Sequence, residues 1–207
     1  PLVDALGLAR RVAANLRRAL TYTLAIHLPI VTLSLLPLLL PRQPLLLLPV
    51  HIALLHLVID PACTVVFEAM PGRGDLLRQP PRPPEAPLLG AGAWRQALGQ
   101  GGALVGVILA LAFWPGVPLE SRRSLVFGLL LLAGGGLVWL NGDRRAGPGV
   151  AGPVLGLALW LPLQGLPPLR RLLVLGPLAA DQLAGLAIAL AVALSLAALP
   201  VAGRWRS

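Results

Sequence analysis

Charged side chains are scarce in this chain of 207 residues, where they make up only 12% of the sequence while hydrophobic residues make up 57%. Soluble globular domains carry about 25% charged residues, and the mean hydropathy here is +0.81. Together these values exclude a soluble globular domain. The chain has a single cysteine, Cys63, which excludes an intrachain disulfide.

Lysine is absent, and all 17 basic residues are arginines, which leave a net charge of +9. A basic chain can bind nucleic acid. Here, however, the arginines lie in pairs between long apolar runs, the pattern of loops that flank transmembrane helices. We therefore expect the partner of this chain to be a lipid bilayer and not a nucleic acid. The lack of lysine, with abundant Ala, Leu, Gly, Pro and Arg, also indicates a GC-rich bacterial genome.

The apolar runs predict an all-α fold, a polytopic membrane bundle of about six transmembrane helices, since each needs about 20 mostly apolar residues. The predicted spans are 22–40, 45–67, 97–115, 124–141, 150–166 and 182–202. They form one transmembrane domain, 22–207, with a polar cytoplasmic loop at 68–94 that contains the proline cluster 80–84. The basic, amphipathic residues 1–21 are expected to be a stalk, the end of an upstream region, that runs into the first span.

The arginine distribution predicts that both termini are cytoplasmic. With the N-terminus inside, twelve arginines fall on the inner side and five on the outer side, as the positive-inside rule requires. An even number of spans agrees with this topology. The expected localisation is a bacterial plasma membrane.

Polar groups inside the apolar runs are concentrated in the first two spans. A carboxylate such as Asp60 costs about 2.5–3.5 kcal/mol at the centre of a membrane helix. The helical rise places His27 of the first span at about the same depth as Asp60 of the antiparallel second span. His56 precedes Asp60 by four residues and shares its helix face. These three side chains therefore predict a cation site.

Two prolines in these spans are expected to add oxygen ligands. Proline removes the helical hydrogen bond to the carbonyl four residues earlier, so Pro29 frees the carbonyl of Ala25, and Pro61 frees that of Leu57. Carboxylate and carbonyl oxygens together suit a hard cation. Glu68, at the inner end of the second span, is a candidate for guarding ion access.

Other interpretations of these residues stay open at this point. His51 is expected to be an interfacial or lumen-facing histidine, and His56 could simply bond a neighbouring helix. Cys63 with histidines would suit a soft metal, although one thiol supports that only weakly. The later spans hold no nucleophile and base at useful spacing, and the sequence has no Gly-rich phosphate loop.

Four segments are more specific than composition. They are ANLRRALTY at 14–22, IHLPI at 26–30, LVIDPAC at 57–63 and PPRPPEAPL at 80–88. Together they resemble the stalk, the fifth and sixth membrane helices and the following loop of bacterial type II-like P-type cation-transporting ATPases. The resemblance implies that the whole chain is the C-terminal membrane region of such a pump, helices five to ten.

The family resemblance implies roles for three residues. The cation-ligating aspartate of the sixth helix maps onto Asp60, and polar ligand positions of the fifth and sixth helices map onto His27 and His56. The sequence departs from the family where an acidic ligand falls at Ile30 and a threonine ligand at Ile59. These departures favour fewer ions per cycle or a role for protonatable histidine.

The resemblance also implies what this chain lacks. Its sequence contains no phosphorylated Asp-Lys-Thr-Gly motif and no nucleotide-binding or actuator domain, so it is expected to supply the ion path without hydrolysing ATP alone. No cofactor is expected in this chain, whereas Mg²⁺ and ATP, the upstream catalytic domains and a transported cation are expected for the full pump. This chain is expected to be a fragment of such a pump, a subunit that joins a separate catalytic chain, or the product of a fragmentary gene. The alternatives are a stand-alone secondary transporter or channel-like protein and an inactive membrane remnant.

Overall fold

The computed structural model describes residues 2–61, 65–70, 85, 87–142 and 148–202. These residues form helices and no strand, which confirms the predicted all-α membrane bundle. The helices are α1 (Leu2–Leu39), α2 (Pro49–Pro61), α3 (Ala91–Ala112), α4 (Leu119–Asn141), α5 (Pro148–Gly165), α6 (Pro167–Leu172) and α7 (Ala180–Ala202).

Four of these helices, α1, α3, α4 and α7, are long and apolar enough to cross a membrane. The apolar helices α2 and α5 are shorter than a full span within the described residues. Each of the six predicted spans therefore overlaps an apolar helix. The loop 71–84 with its proline cluster, and the link 143–147, lie outside the described residues.

The predicted stalk and first span form one helix, α1, of 38 residues. At about 1.5 Å per residue it is long enough to cross the bilayer and extend well beyond it. Pro29 and Pro37 lie inside α1 without ending it. Between these prolines, two side-chain hydroxyls donate to backbone carbonyls four residues earlier. Thr32 donates to Leu28 and Ser34 donates to Ile30, each at 2.8 Å.

The predicted second span starts later than expected. A turn follows α1 at residues 41–42, as the two prolines nearby predict, but α2 begins only at Pro49. Residues 45–48 are apolar enough to pass for helix. Leu46 and Leu47 instead pack into the core in a non-helical conformation, with 2% and 1% of their surfaces exposed.

Helix α4 is the centre of the bundle and contacts α1, α2, α3, α5 and α7. Its glycine run allows α5 to approach at backbone distance, because a Cβ atom on Gly152 would lie 2.7 Å from the carbonyl oxygen of Gly135. This is the close helix packing that small residues permit in membranes.

The short helix α6 was predicted as part of an irregular link. It begins with Pro167 and Pro168, and proline suits the first helical positions because the amide groups there have no helical partner in any case. The loop after α6 is fixed to the start of α4: Ser121 donates to the carbonyl of Pro177 at 2.8 Å, and Ser124 donates to that of Gly176 at 2.7 Å.

Candidate functional site

The structure brings two of the predicted site residues into direct contact. The rings of His27 in α1 and His56 in α2 meet edge to face, with centroids 5.3 Å apart and an interplanar angle of 78°. Both side chains are half-buried. Besides this pair, the rings of Tyr22 and Phe67 pack against each other between α1 and the segment that follows α2. Their centroids are 5.5 Å apart and their planes are tilted by 46°. We call His27 and His56 the histidine pair.

Each ring of the histidine pair is oriented by its own helix. The Nδ1 atom of His27 lies 2.7 Å from the carbonyl oxygen of Thr23, and that of His56 lies 2.9 Å from the oxygen of Ile52. A carbonyl can only accept, so each Nδ1 carries a proton and donates it. In a neutral imidazole this leaves Nε2 with the lone pair. Neither Nε2 atom has a hydrogen bond within the described part of the chain.

The partner of His27 is His56, whereas the sequence argument placed Asp60 at that depth. The physical reason is the late start of α2. Non-helical residues advance the chain by up to about 3.3 Å each, compared with about 1.5 Å in a helix. The non-helical residues 45–48 therefore carry His56 to the level expected for a residue one turn later.

Asp60 lies one turn beyond His56 on α2 and is exposed on the surface of this chain. Leu57, whose carbonyl was predicted to be a ligand, is also on the surface, with its side chain 67% exposed. No group of three or more His, Cys, Asp or Glu side chains lies together within the described residues. The chain thus presents the histidine pair between α1 and α2, and Asp60 one turn further along α2, without enclosing them.

The two prolines differ in their surroundings. Pro29 is buried, and the carbonyl oxygen of Ala25 that it frees faces α3, where a Cβ atom added to Gly101 would lie 2.9 Å from it. Pro61 is the last residue of α2. Residues 62–64, which include Cys63 and Thr64, lie outside the described residues, so the soft-metal alternative remains a prediction.

Glu68 is exposed and lines a cavity of about 290 Å³ between the stalk part of α1 and the segment after α2. Arg11 lines the same cavity, so a cationic and an anionic side chain share it. Near this point the segment is tied to α1 by a 3.0 Å hydrogen bond from Asn15 to the carbonyl of Met70. The role of Glu68 in ion access stays a prediction.

His51 occupies a different environment from the one predicted. It has no exposed surface, and its ring lies 5.1 Å from that of Phe127 between centroids. Its Nδ1 accepts from the amide of Leu48 at 3.2 Å, and its Nε2 donates to the carbonyl of Leu173 at 2.6 Å. Both nitrogens are thus engaged, and the ring joins α2 to the end of α6 in the neutral form.

Sequence reasoning missed a buried chain of amides between α3 and α4. Gln96 donates to Asn141 at 2.6 Å, Asn141 donates to Gln100 at 2.9 Å, and Gln100 donates to the carbonyl of Ala197 in α7 at 3.4 Å. The signal was present, because Gln96 and Gln100 are four residues apart and share a helix face. Their hydrogen bonds join three helices away from the histidine pair.

The helical architecture agrees with a comparison to known families. A sequence model described as the C-terminus of cation-transporting ATPases matches residues 44–202, which include His56 and Asp60 and begin after His27. No curated protein matches the chain. Because the family model covers more than half of the chain, and the fold is a multi-pass helical bundle, the chain belongs to the family of cation-transporting ATPases and corresponds to their C-terminal membrane region.

Proposed function

We propose that α1 and α2 carry the transported cation of a P-type pump past the histidine pair and Asp60. The observation that carries this proposal is the contact between His27 and His56, whose ring centroids are 5.3 Å apart. It supports an ion path because two side chains with available lone pairs meet between two membrane helices. A polar group held at such a depth is costly and usually marks an ion or proton path.

Electrostatics suit the histidine pair to holding one cation at a time. Two charges 5.3 Å apart repel each other by about 3 kcal/mol at an effective dielectric constant of about 20. A single bound cation or proton avoids this repulsion. Asp60, one turn away, supplies a negative charge that favours it. The pair and the carboxylate together thus form a site for one cation.

The surface position of Asp60 fits a chain that is only part of a pump. In the proposed assembly, the upstream helices cover the exposed side of α2 and complete the path. ATP and Mg²⁺ act on the upstream catalytic domains. We place the assembly in a bacterial plasma membrane with both ends of this chain in the cytoplasm, which fits the arginine distribution.

The continuous α1 helix offers a way to couple the two halves. It runs without a break from the stalk to the histidine pair and beyond. A pull on the stalk by the catalytic domains therefore moves His27 relative to His56. The bond from Asn15 to the carbonyl of Met70 ties the segment after α2 to the moving stalk. The site changes shape when α1 tilts.

The test joins this chain to the phosphorylation and nucleotide-binding domains of its pump and measures cation-stimulated ATP hydrolysis in proteoliposomes. We expect Asp60→Asn and His56→Ala each to lower the cation-stimulated rate by about tenfold or more, because each removes a site group. Ser34→Ala is the control, since Ser34 is exposed and bonds only its own helix. Unchanged cation stimulation in both site variants would remove this path from the mechanism.

A further inference from the structure

We propose that the histidine pair selects a divalent first-row transition metal of the Zn²⁺ type, so that this is the cation class handled by the chain. The inference rests on the proposed function and deepens it by naming the ion class. It concerns His27 and His56, whose imidazoles meet edge to face between α1 and α2.

The donor atoms of the site favour such a metal. Calcium takes about six to eight oxygen ligands. Here the two groups in contact are imidazoles. Asp60, one turn after His56, is the one carboxylate of α2. Imidazole nitrogen suits zinc and its neighbours in the first transition row. Ile30, three residues after His27 on α1, is buried and apolar and offers no oxygen ligand from its side chain.

The distance between the rings meets the geometric requirement. Two imidazoles on one tetrahedral Zn²⁺ ion, with zinc–nitrogen bonds of about 2.0–2.1 Å, have ring centroids about 5 Å apart. The centroids of His27 and His56 are 5.3 Å apart, and the rings are inclined at 78°. The spacing of the two rings therefore suits one ion bound by both, once each Nε2 is turned toward it.

The second nitrogen of each ring is arranged as metal-binding histidines require. Such residues donate the other ring N–H to a carboxylate, a backbone carbonyl or water, which fixes the tautomer and raises the basicity of the ligating nitrogen. His27 does so to the carbonyl of Thr23 and His56 to that of Ile52. His51 is different, since both of its nitrogens are engaged. The arrangement thus marks these two histidines and not the third.

The incomplete shell suits a transported ion. Structural zinc sites are closed by four protein ligands, whereas functional sites keep open positions. The histidine pair provides two ligands and is half-buried, so water, Asp60 or groups from the upstream helices can occupy the rest. An ion held this way can leave the site when α1 tilts.

The experiment uses the whole chain in nanodiscs, purified without a polyhistidine tag, and follows the visible absorption of added Co²⁺. We expect about one tetrahedral Co²⁺ ion per chain, displaced by Zn²⁺ and not by a roughly hundredfold excess of Ca²⁺. His27→Ala and His56→Ala should each weaken binding by about tenfold or more, and Ser34→Ala should not. If either alanine variant fails to fold, the corresponding glutamine variant replaces it.

Two results would overturn the inference: Co²⁺ binding that survives loss of both histidines, or displacement of Co²⁺ by Ca²⁺ as readily as by Zn²⁺. The ATPase measurement separates this inference from the proposed function. Suppose that the joined pump is stimulated by Ca²⁺ and not by Zn²⁺, and that the histidine variants lose this stimulation. The ion path then stands, and the assignment of a Zn²⁺-type metal is rejected. Co²⁺ binding at the pair, with stimulation unchanged in all site variants, keeps the metal site and rejects the path.

Discussion

The three histidines of this chain lie in two regions that use the same side chain in opposite ways. His51 has no exposed surface and engages both ring nitrogens with backbone groups. His27 and His56 are half-buried and engage only Nδ1. The difference teaches that the hydrogen-bond state of each nitrogen, more than depth in the membrane, separates a structural histidine from a candidate ligand.

The largest expected effect on stability is that of His51→Ala. It leaves the amide of Leu48 and the carbonyl of Leu173 without a buried partner and removes a ring packed on Phe127. We expect the free energy of unfolding to fall by about 3 kcal/mol, measured by SDS titration in mixed micelles. His27→Ala should cost less than about 1 kcal/mol, since it removes one hydrogen bond within its own helix and the ring contact of a half-buried side chain. Equal losses would erase the distinction between the two regions.

A second substitution disturbs the histidine pair without touching His51. A Cβ atom on Gly101 would lie 2.9 Å from the carbonyl oxygen of Ala25 and 2.9 Å from the side chain of Leu28. Gly101→Ala should therefore force α1 away from α3 and cost about 1–3 kcal/mol. Gly102→Ala is the matched control, because nothing lies within 4 Å of its added Cβ.

The same two glycine variants can also be compared by their Co²⁺ binding at the histidine pair. If α1 moves in Gly101→Ala, Co²⁺ binding at the histidine pair should weaken, while Gly102→Ala should bind as the parent does. Equal stability and equal Co²⁺ binding in both variants would contradict the observed packing of α1 against α3.

On the His51 side, a serine substitution should have a smaller effect than His51→Ala. Ser124 is fully buried and donates to the carbonyl of Gly176 at 2.7 Å, which holds the loop after α6. Ser124→Ala should lower the free energy of unfolding by about 1–2 kcal/mol and leave Co²⁺ binding unchanged. Ser34→Ala is the matched control and should change stability little, because Ser34 is exposed and its hydroxyl bonds a carbonyl of its own helix. A loss of Co²⁺ binding in Ser124→Ala would show that the two regions are coupled.

Much of the fold could be predicted because transmembrane helices follow from local apolar length. The stalk and first span form the expected continuous helix. The start of α2 was missed because residues 45–48 are as apolar as a helix, and only their tertiary packing shows otherwise. The short helix α6 was missed for a related reason, since its two prolines suggest a break as readily as a helix start.

The candidate site was predicted in its residue types and not in its pairing. His27 and His56 stand out in the sequence because each is a polar group in an apolar run. Their contact depends on the path of residues 41–48, which sequence periodicity does not report. The partner of His51 is a carbonyl 122 residues away in the chain, and no local pattern can indicate such a bond. The roles of Asp60, Ala25, Leu57 and Glu68 stay predictions.

The central position of α4 has a consequence for how the bilayer acts on this protein. Of the most apolar window of α4, 89% is buried within the chain, compared with 22% for α7. Most of α7 is therefore open to lipid or to neighbouring helices, whereas almost none of α4 is. A change in membrane thickness or acyl composition should bend or tilt the outer helices first, while the innermost helix keeps its surroundings. The bundle would then respond to lipid through its outer helices, which would move relative to α4.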